Sequence, residues 1–406
     1  MKIKQCRSCK SKRLKNAFDI GMQNLTGVFP KSKKEKILKG SLAMIFCQNC
    51  NLLQLKNSFD PKKMYGNNYG YMSSLNSSMV DHLKKKSEKL KKIVSINKND
   101  IVCDIGSNDG TFLSFFSNKI TLIGIDPTIS KLSKYYRKDI KKIPDFFSKK
   151  LINKITQKKI KLVTTISMFY DLENPLDFAK EIYDILDNDG VWHLEQSYMP
   201  SMIKNNSYDT ICHEHLEYYS LKSIKYIFDK AGFKIIDLDF NDINGGSFSI
   251  TVSKKKSSHS EVKRLVNWLL KREKIFKYNN LSTFKTFYKN ILMHKKTFYE
   301  LLLNLKKNKK KVVGYGASTK GNVLLQFCKI NSDLLPYICE VNKFKHGRFT
   351  PGSKIKIISE NQAKKINPDY FLVLPWHFKN FILKKENFFI NKGGKFIFPL
   401  PEVEII

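Results

Sequence analysis

The sequence predicts an α/β protein of three consecutive domains: a small cysteine-bearing domain, a central Rossmann-like domain and a C-terminal Rossmann-like domain. Three observations support this. Two Cys-x-x-Cys pairs lie within the first 50 residues, strand and helix patterns alternate from about 85 to 255, and a second strand–turn–helix unit begins at Val312. Such alternation is typical of parallel, doubly wound sheets. A chain of 406 residues is also too long for one ordinary domain, and we expect boundaries at 1–70, 71–255 and 256–406.

The composition indicates a folded protein with a strongly basic surface. Hydrophobic residues make up 42% of the chain, no apolar run is long enough to cross a membrane, and the N-terminus lacks the apolar stretch of a signal peptide, so we expect a cytoplasmic protein without a membrane partner. The net charge of +37 is typical of nucleic-acid binders, but only six of the 73 basic residues are Arg, the usual reader of bases and phosphates. A solvated lysine-rich surface is therefore favoured, which would attract anionic substrates and no nucleic acid. A monomer is compatible with the sequence.

The paired cysteines have the spacing of one tetrahedral zinc site, in which the ligands are Cys6, Cys9, Cys47 and Cys50. Disulfides are not expected in a reducing cytoplasm, and a redox Cys-x-x-Cys usually lies beside a strand–helix unit rather than in a polar stretch. Because four protein ligands leave no open position, the zinc should stabilise the fold and take no part in chemistry. The other cysteines are isolated, and we expect them to be buried thiols: Cys103, Cys212, Cys328 and Cys339.

The sheet of the central domain is predicted to begin with a strand that runs into a glycine-bent turn. The candidate elements are the strands Ile101–Ile105, Thr121–Ile125, Leu162–Ser167 and Val191–Gln196, with a helix at Asn174–Leu186. Ligands of such sheets bind beyond the carboxyl ends of the strands. Two acids at those ends, Asp104 and Asp126, are therefore candidate ligand-binding residues.

The turn Gly106-Ser-Asn-Asp-Gly110 has residue types that suit S-adenosylmethionine. Glycine lets the backbone approach a ligand closely, Asp104 can accept from the ammonium group, and Asp126 can accept from both ribose hydroxyls. An NAD site shares this layout, but the turn lacks the G-x-G-x-x-G spacing and is too acidic for a pyrophosphate. Phe146 either covers the adenine or belongs to the core. The predicted cofactor residues are Asp104, Gly106, Ser107, Asn108, Asp109, Gly110, Asp126, Pro127, Phe146 and Ser167.

The segment 209–220 is dense in titratable groups and contains His213, Glu214 and His215. In an extended chain the two histidines would share one face and the carboxylate would lie on the other. The spacing differs from that of the H-E-x-x-H zinc motif, so a metal is not expected here. A general base with a carboxylate neighbour is one interpretation, and a hydrogen-bonded pair of structural histidines is the other.

Two glycine-rich stretches flank this segment. Tyr69 and Tyr71 lie in a stretch rich in Gly and Asn, which is either a substrate-contacting loop or an ordinary linker. The second stretch is either a tight turn or a place where a ligand meets the backbone, and it precedes a candidate strand at Phe248–Ser253. It consists of Asn244, Gly245, Gly246 and Ser247.

The C-terminal domain is predicted to start with two long helices between Ser260 and Lys310, followed by the strand at Val312. The turn after this strand can direct backbone amides, a helix N-terminus and Lys320 at an anion. It is neither a P-loop nor a dinucleotide fingerprint. A later basic loop could reach the same phosphates, so a nucleoside diphosphate is favoured over a second redox cofactor. The candidate residues are Gly316, Ser318, Thr319, Lys320, Asn342 and Lys345.

Taken in this order, the motifs resemble those of the bacterial C-methyltransferases that act on nucleotide-linked 4-keto deoxysugars. The resemblance covers nearly the whole chain: the four cysteines, Gly-Ser-Asn-Asp-Gly, His-Glu-His, Gly-Gly-Ser and Gly-Tyr-Gly-Ala-Ser-Thr-Lys-Gly. It implies a central class I methyltransferase domain that uses S-adenosylmethionine, and a nucleotide-sugar between the last two domains. It also implies a base that removes the proton at C3, so that the enolate takes the methyl group. His215 is then the base, Glu214 its carboxylate neighbour, and Tyr69 or Tyr71 approaches the sugar.

Three positions depart from the family pattern. Cys212 stands where the family has Tyr before His-Glu-His, Asp171 stands where it has His near the fourth strand, and Asn244 stands where it has His before Gly-Gly-Ser. The chain therefore resembles a variant branch. Two alternatives remain: a sugar O-methyltransferase that uses the same base, and a non-enzymatic, zinc-ribbon RNA-binding protein.

Overall fold

The structure is a computed structural model that describes residues 1–64 and 71–406, with only the backbone of Lys62 and Lys63. Tyr69 lies outside the described residues. The N-terminal part is an antiparallel meander in which one cysteine pair precedes the first strand and the other lies where the second strand ends. Its elements are β1 Leu14–Asn24, β2 Lys39–Cys47, β3 Leu53–Leu55 and the one-turn helix α1 Pro61–Met64.

The central part is a seven-stranded sheet with the order β10-β11-β8-β7-β4-β5-β6. Its elements are α2 Ser77–Ile93, β4 Ile101–Ile105, α3 Thr111–Ser114, β5 Thr121–Ile125, α4 Ile129–Leu132, β6 Lys141–Ile143, α5 Lys149–Ile155, β7 Ile160–Ile166, α6 Pro175–Ile185, β8 Leu186–Ser197, α7 Met199–Lys204, β9 Glu217–Tyr218, α8 Leu221–Ala231, β10 Phe233–Asn241 and β11 Ser247–Lys254. The predicted strands are confirmed. The predicted parallel sheet is confirmed from β8 through β7, β4 and β5 to β6. At the other edge β10 and β11 form a hairpin, and β11 runs antiparallel to β8.

The short strand β9 does not belong to the central sheet. It pairs with β3, with Leu53 opposite Tyr218 and Gln54 opposite Glu217, and so completes the N-terminal sheet as its fourth strand. The segment that carries His-Glu-His is therefore held at its C-terminal end by the cysteine-bearing part of the chain.

The C-terminal part begins with two helices, as predicted, and continues as a six-stranded sheet with the order β14-β13-β12-β15-β16-β17. Its elements are α9 Lys263–Ile275, α10 Leu281–Lys307, β12 Val312–Tyr315, α11 Thr319–Phe327, β13 Tyr337–Glu340, β14 Lys356–Ser359, α12 Glu360–Ile366, β15 Tyr370–Val373, α13 Lys379–Lys385, α14 Asn387–Asn391, β16 Lys395–Phe398 and β17 Glu404–Ile405. All pairs except β16 with β17 are parallel. The strand order reverses at β12, and the loops after β12 and β15 diverge there, which is where open α/β sheets bind ligands.

The three parts share packed interfaces. The long helix α10 lies on the N-terminal sheet, where the ring centroids of Phe18 and Phe287 are 5.4 Å apart and those of Phe46 and Phe284 are 5.2 Å apart. These rings belong to one buried cluster that continues into the C-terminal sheet. Among the described helices, none is long and apolar enough to span a bilayer.

Candidate active site

The four paired cysteines converge on one point. Their Sγ atoms all lie within 4.8 Å of one another, with 3.6 Å between Cys6 and Cys50 and 3.5 Å between Cys9 and Cys47. A tetrahedral zinc with bonds of about 2.3 Å places sulfurs about 3.8 Å apart, so the donor set fits zinc. Gln54 Nε2 donates to Cys6 Sγ at 3.2 Å, which suits a thiolate. All four ligands come from the protein, so the ion would hold the fold.

The carboxyl ends of β4 and β5 open into a cavity of about 300 Å³. Eight of the ten predicted cofactor residues line it: Asp104, Gly106, Ser107, Asn108, Asp126, Pro127, Phe146 and Ser167. Gly106 has a φ of 79°, and a Cβ there would stand 2.9 Å from Met168 Cγ. The turn therefore requires glycine at this position, both for its backbone conformation and for the space beside Met168.

Two buried carboxylates face this cavity. Asp104 accepts from Thr164 Oγ1 at 2.6 Å, and burial raises its pKa to about 7. Asp126 accepts from Asn108 N at 2.9 Å and from Thr128 N at 2.7 Å, and burial raises its pKa as well. Each carboxylate keeps lone pairs for a ligand, because an ionised carboxyl offers about four acceptor sites. Two acids at one mouth suit a ligand with an ammonium, a sulfonium and ribose hydroxyls, as S-adenosylmethionine has.

Asp109 and Gly110 were predicted to bind the cofactor, but they do not line the cavity. Asp109 accepts from Ser74 N at 2.8 Å and from Thr111 Oγ1 at 2.6 Å, so it fastens the turn to the segment before α2. Gly110 lies against Tyr136, whose ring would be 2.7 Å from a Cβ at that position. Asp109 and Gly110 therefore support the turn on the side away from the cavity.

Tyr136 supports the same turn and was not among the predicted residues. Its hydroxyl lies 2.8 Å from Ser107 Oγ and donates to Asn108 O at 2.9 Å. No motif marks this tyrosine in the sequence. It follows Tyr135, which is exposed, and only the fold distinguishes the two.

A larger cavity of about 690 Å³ lies between the central and C-terminal sheets. It adjoins the cofactor cavity, because four residues line both: Tyr71, Met79, Ser167 and Asp171. Other predicted residues also line it: Glu214, His215, Asn244, Gly316, Ser318, Thr319, Lys320, Asn342 and Lys345. Groups bound in the two cavities would meet at this shared wall.

His215 presents a neutral ring to the larger cavity. Its Nδ1 lies 2.8 Å from the carbonyl oxygen of Thr210, so Nδ1 carries the proton and Nε2 keeps its lone pair. Burial, and then the charge of Lys320, lower the pKa of His215 to about 3. The ring of Tyr170 lies against it, with centroids 4.1 Å apart. Glu214, also lining the cavity, is 5% exposed and accepts from Thr26 Oγ1 at 3.3 Å.

His213 does not join them. The expectation that His213 and His215 share one face is wrong, because the chain bends at 213–214 and becomes extended only at Glu217. His213 is fully buried against the N-terminal part, with Nε2 3.2 Å from Gly40 O and the ring of Phe59 packed edge-on at 4.8 Å. Burial lowers the pKa of His213. These contacts place His213 against the N-terminal part, and it does not line the larger cavity.

Only the first residue of the Asn-Gly-Gly-Ser stretch reaches the cavity. Asn244 O accepts from Lys320 Nζ, and Asn244 Nδ2 donates to Ser167 Oγ at 3.3 Å, so Asn244 bridges the two sheets. Ser247 donates to Ile243 O at 2.8 Å and faces away. Three residues of the turn have left-handed φ values: Asn244, Gly245 and Gly246. Gly245, Gly246 and Ser247 therefore form a hairpin turn rather than a ligand contact.

The C-terminal wall of the cavity is built around the start of α11. Ser318 caps this helix by accepting from Gly321 N at 2.9 Å. Glu340, the last residue of β13, lines the cavity and accepts from Ala317 N and Asn342 N, each at 3.0 Å. Glu340 was not among the predicted residues, although an acid at the end of the second strand of a strand–turn–helix unit is a recognisable signal in the sequence. His377, in the loop after β15, was missed as well and lines the same cavity.

Comparison with known proteins agrees with this three-part arrangement. Three family models match consecutive residues: "Putative zinc binding domain" over 6–65, "Methyltransferase domain" over 79–238 and "C-methyltransferase C-terminal domain" over 242–401. The chain is 28% identical to the C-methyltransferase NovU of Streptomyces niveus over 368 residues, which are 90% of this chain and 87% of NovU.

Two solved structures each resemble a part of the chain. One is a chain from the complex between the Haloferax volcanii Trm112 methyltransferase activator and a methyltransferase. It is 15% identical to this chain, the match covers 44% of this chain and 92% of that chain, and the TM-score is 0.37. The other is the plantazolicin methyltransferase BpumL in complex with SAH. It is 12% identical, the match covers 44% of this chain and 89% of that chain, and the TM-score is 0.34. The three family matches succeed one another from residue 6 to 401, and the chain is therefore an S-adenosylmethionine-dependent methyltransferase with a zinc-binding N-terminal domain and a C-terminal domain of the kind found in C-methyltransferases.

Proposed function

We propose that the enzyme methylates C3 of a nucleotide-linked 4-keto deoxysugar through an enolate. The observation that carries this proposal is the shared wall of the two cavities, with the neutral His215 ring facing the larger one. S-adenosylmethionine, when bound, supplies an electrophilic methyl group on a sulfonium. A sugar in the larger cavity would meet that group beside Ser167 and Asp171.

The C-terminal wall suits the nucleoside diphosphate of such an acceptor. The N-terminus of α11 directs backbone amides and its dipole at the cavity, and Lys320, Lys345 and Lys385 also line it. Glu340 lies where an acid accepts from ribose hydroxyls in this type of sheet. The high positive charge of the protein would draw a dianionic acceptor to this mouth.

In this mechanism His215 Nε2 removes the proton from C3, and the electron pair of the C–H bond forms the enolate with the 4-keto group. A new C3–methyl bond then forms as the methyl–sulfur bond breaks and leaves its electron pair on sulfur. The proton on His215 passes to solvent. Because burial and Lys320 disfavour a charged His215, the protonated ring needs negative charge nearby. Glu214 lines the same cavity and would supply such charge, and the acceptor phosphates would offset Lys320.

Methylation of a sugar hydroxyl is the second candidate. It is favoured by one observation, namely that Asp171, a carboxylate rather than the family's histidine, lines both cavities. A carboxylate at that wall can accept a hydrogen bond from an acceptor hydroxyl.

Proton exchange without methyl transfer tests the enolate route. The enzyme is incubated in D₂O with S-adenosylhomocysteine and 4-keto-6-deoxy sugars linked to thymidine, uridine, guanosine or cytidine diphosphate. We expect the C3 proton signal of one acceptor to disappear with the wild-type enzyme and to persist with His215→Asn. An acceptor that is methylated by the enzyme without ever exchanging C3–H under these conditions would overturn the route.

A further inference from the structure

The zinc-binding domain reaches the larger cavity through the loop that follows β1. Phe29 of this loop lines the cavity. The loop is fastened to the C-terminal part, since Asn322 Nδ2 donates to Thr26 O at 2.7 Å and Phe349 N donates to Pro30 O at 2.9 Å. At the start of the loop, Asn24 N donates to Gln326 Oε1 at 2.8 Å. The loop is thus wedged between α11 and the His-Glu-His segment.

Gly27 of this loop touches the Glu214 carboxylate. A Cβ on Gly27 would lie 2.5 Å from Glu214 Oε1, which is closer than any real contact, while the next neighbour, Thr319 Oγ1, would be at an ordinary 3.7 Å. The φ of Gly27 lies outside the left-handed region, so its backbone would accept another residue. The missing side chain at residue 27 therefore serves the close approach of Glu214.

The carboxylate has few other restraints. Thr26 Oγ1 donates to Glu214 Oε2 at 3.3 Å, and Oε1 has no hydrogen-bond partner among the described residues. A buried carboxylate held by one hydroxyl and the nearby Cys212 thiol depends largely on packing for its position. Gly27 and Thr26 together define the space in which it can lie.

We propose that Gly27 and Thr26 are positioning residues that hold Glu214 at the acceptor cavity, so that the zinc-binding domain forms part of the active site. This inference rests on the role proposed for Glu214 above. The zinc site is linked to the loop through β1 and β2, whose pairing runs from Leu14 opposite Cys47 to Asn24 opposite Lys39. Zinc fixes one end of this hairpin, and the loop that touches Glu214 forms the other end.

The test compares Gly27→Ala with Gly21→Ala. Gly21 lies in the same domain with a φ of 89° and open space around it, so its substitution strains the domain without touching Glu214. Activity is measured with S-adenosylmethionine and with whichever of the four nucleotide-linked 4-keto-6-deoxy sugars named above gives the fastest turnover. We expect Gly27→Ala to lower kcat by about 10- to 100-fold, as a misplaced catalytic group does. Zinc content and the KM for S-adenosylmethionine should match those of Gly21→Ala.

A double variant separates positioning from general damage. Glu214→Asp withdraws the carboxylate by one methylene, so adding Gly27→Ala to it should lower kcat by less than about twofold. Thr26→Val should lower kcat several-fold and Thr26→Ser should restore it, whereas Thr251→Val, which removes a buried hydroxyl bonded to His193, should leave kcat unchanged.

Two outcomes would overturn the inference in distinguishable ways. If Glu214→Gln impairs turnover but Gly27→Ala does not, or if the two losses simply add in the double variant, the positioning role is wrong and the proposed function stands. If Glu214→Gln and His215→Asn both keep full turnover, the proposed function fails, and the positioning role fails with it.

Discussion

Asp126 and Glu340 occupy equivalent positions in two different sheets. Asp126 directly follows β5 and accepts from the backbone N–H of Asn108 in the preceding turn and of Thr128 two residues ahead. Glu340 ends β13 and accepts from the backbone N–H of Ala317 in its preceding turn and of Asn342 two residues ahead. Each acid faces its own cavity. The enzyme thus carries two Rossmann-type acids at adjoining cavities, and we expect Asp126 to bind the methyl donor and Glu340 to bind the nucleoside of the acceptor.

Glu340 should therefore contribute to binding of the nucleotide. We expect Glu340→Gln to weaken the affinity for the best-bound nucleoside diphosphate by about tenfold, since one charged hydrogen-bond acceptor is lost. Calorimetry with four nucleoside diphosphates measures this, and Glu404→Gln, which breaks only an exposed pair with Lys379, is the control. An unchanged affinity in the Glu340 variant would contradict the assignment.

Asp104 should make donor binding depend on pH. Its pKa of about 7 means that it is largely protonated at pH 6 and ionised at pH 8. Since the ionised form accepts from the ligand's ammonium, affinity for S-adenosylhomocysteine should rise about tenfold across this range. Asp104→Asn should bind more weakly and show a flat profile. Wild-type affinity that is equal at both pH values would argue against this contact.

His215 should act without a histidine titration near neutral pH. Its pKa lies below the ordinary value, so the ring loses its lone pair to a proton only in strong acid. At saturating S-adenosylmethionine, kcat/KM for the acceptor should show no acid limb near pH 6.5. His215→Asn should lower kcat by about 10²- to 10⁴-fold while the donor affinity stays within twofold. If the wild-type kcat/KM falls below about pH 6.5 and His215→Asn abolishes this fall, the ring titrates like an ordinary histidine and the prediction is wrong.

Loss of zinc should disturb the fold rather than one step of the reaction. Cys47→Ser removes one ligand, and we expect the purified protein to contain little zinc and to melt at a markedly lower temperature, because metal binding stabilises the folded ligand set. Cys339→Ala changes a buried thiol remote from the cluster and should keep its zinc. Metal analysis and thermal unfolding measure both effects, and full zinc in the Cys47 variant would disprove the four-thiolate site.

The buried Glu195 should make the protein sensitive to acid. His82 Nε2 lies 2.5 Å and Lys86 Nζ 2.8 Å from its carboxylate, which docks α2 on the central sheet. Burial alone would raise the pKa of Glu195, but these partners outweigh it and lower the pKa to about 2. The stabilisation is therefore present above about pH 4.5 and is lost as the pH falls toward 2.

Glu195→Gln tests the contribution of this buried cluster, because it leaves Lys86 buried without its counter-charge. We expect it to lower the free energy of unfolding at pH 7 by about 3–5 kcal/mol in urea titrations. Asp139→Asn, which breaks an exposed pair with Arg137, should change it by less than about 1 kcal/mol. Equal effects of the two substitutions would show that the buried cluster contributes little.

The sequence was most informative where local pattern determines structure. The apolar runs at Asp104 and Asp126 predicted two strands and the cavity beside them, and the cysteine spacing predicted the four-thiol cluster. The orientation of His213 was not predictable, because β9 pairs with β3 from more than 150 residues earlier in the chain and bends the segment before it. The contact of Gly27 with Glu214 was hidden for the same reason, since a glycine needed for a long-range approach looks like any loop glycine.

The most direct test of carbon methylation uses an acceptor deuterated at C3 and a donor with a ¹³C-labelled methyl group. We expect a product whose labelled methyl resonates as a methyl on carbon, with the deuterium lost from C3. A labelled methoxy signal with the deuterium retained would contradict it.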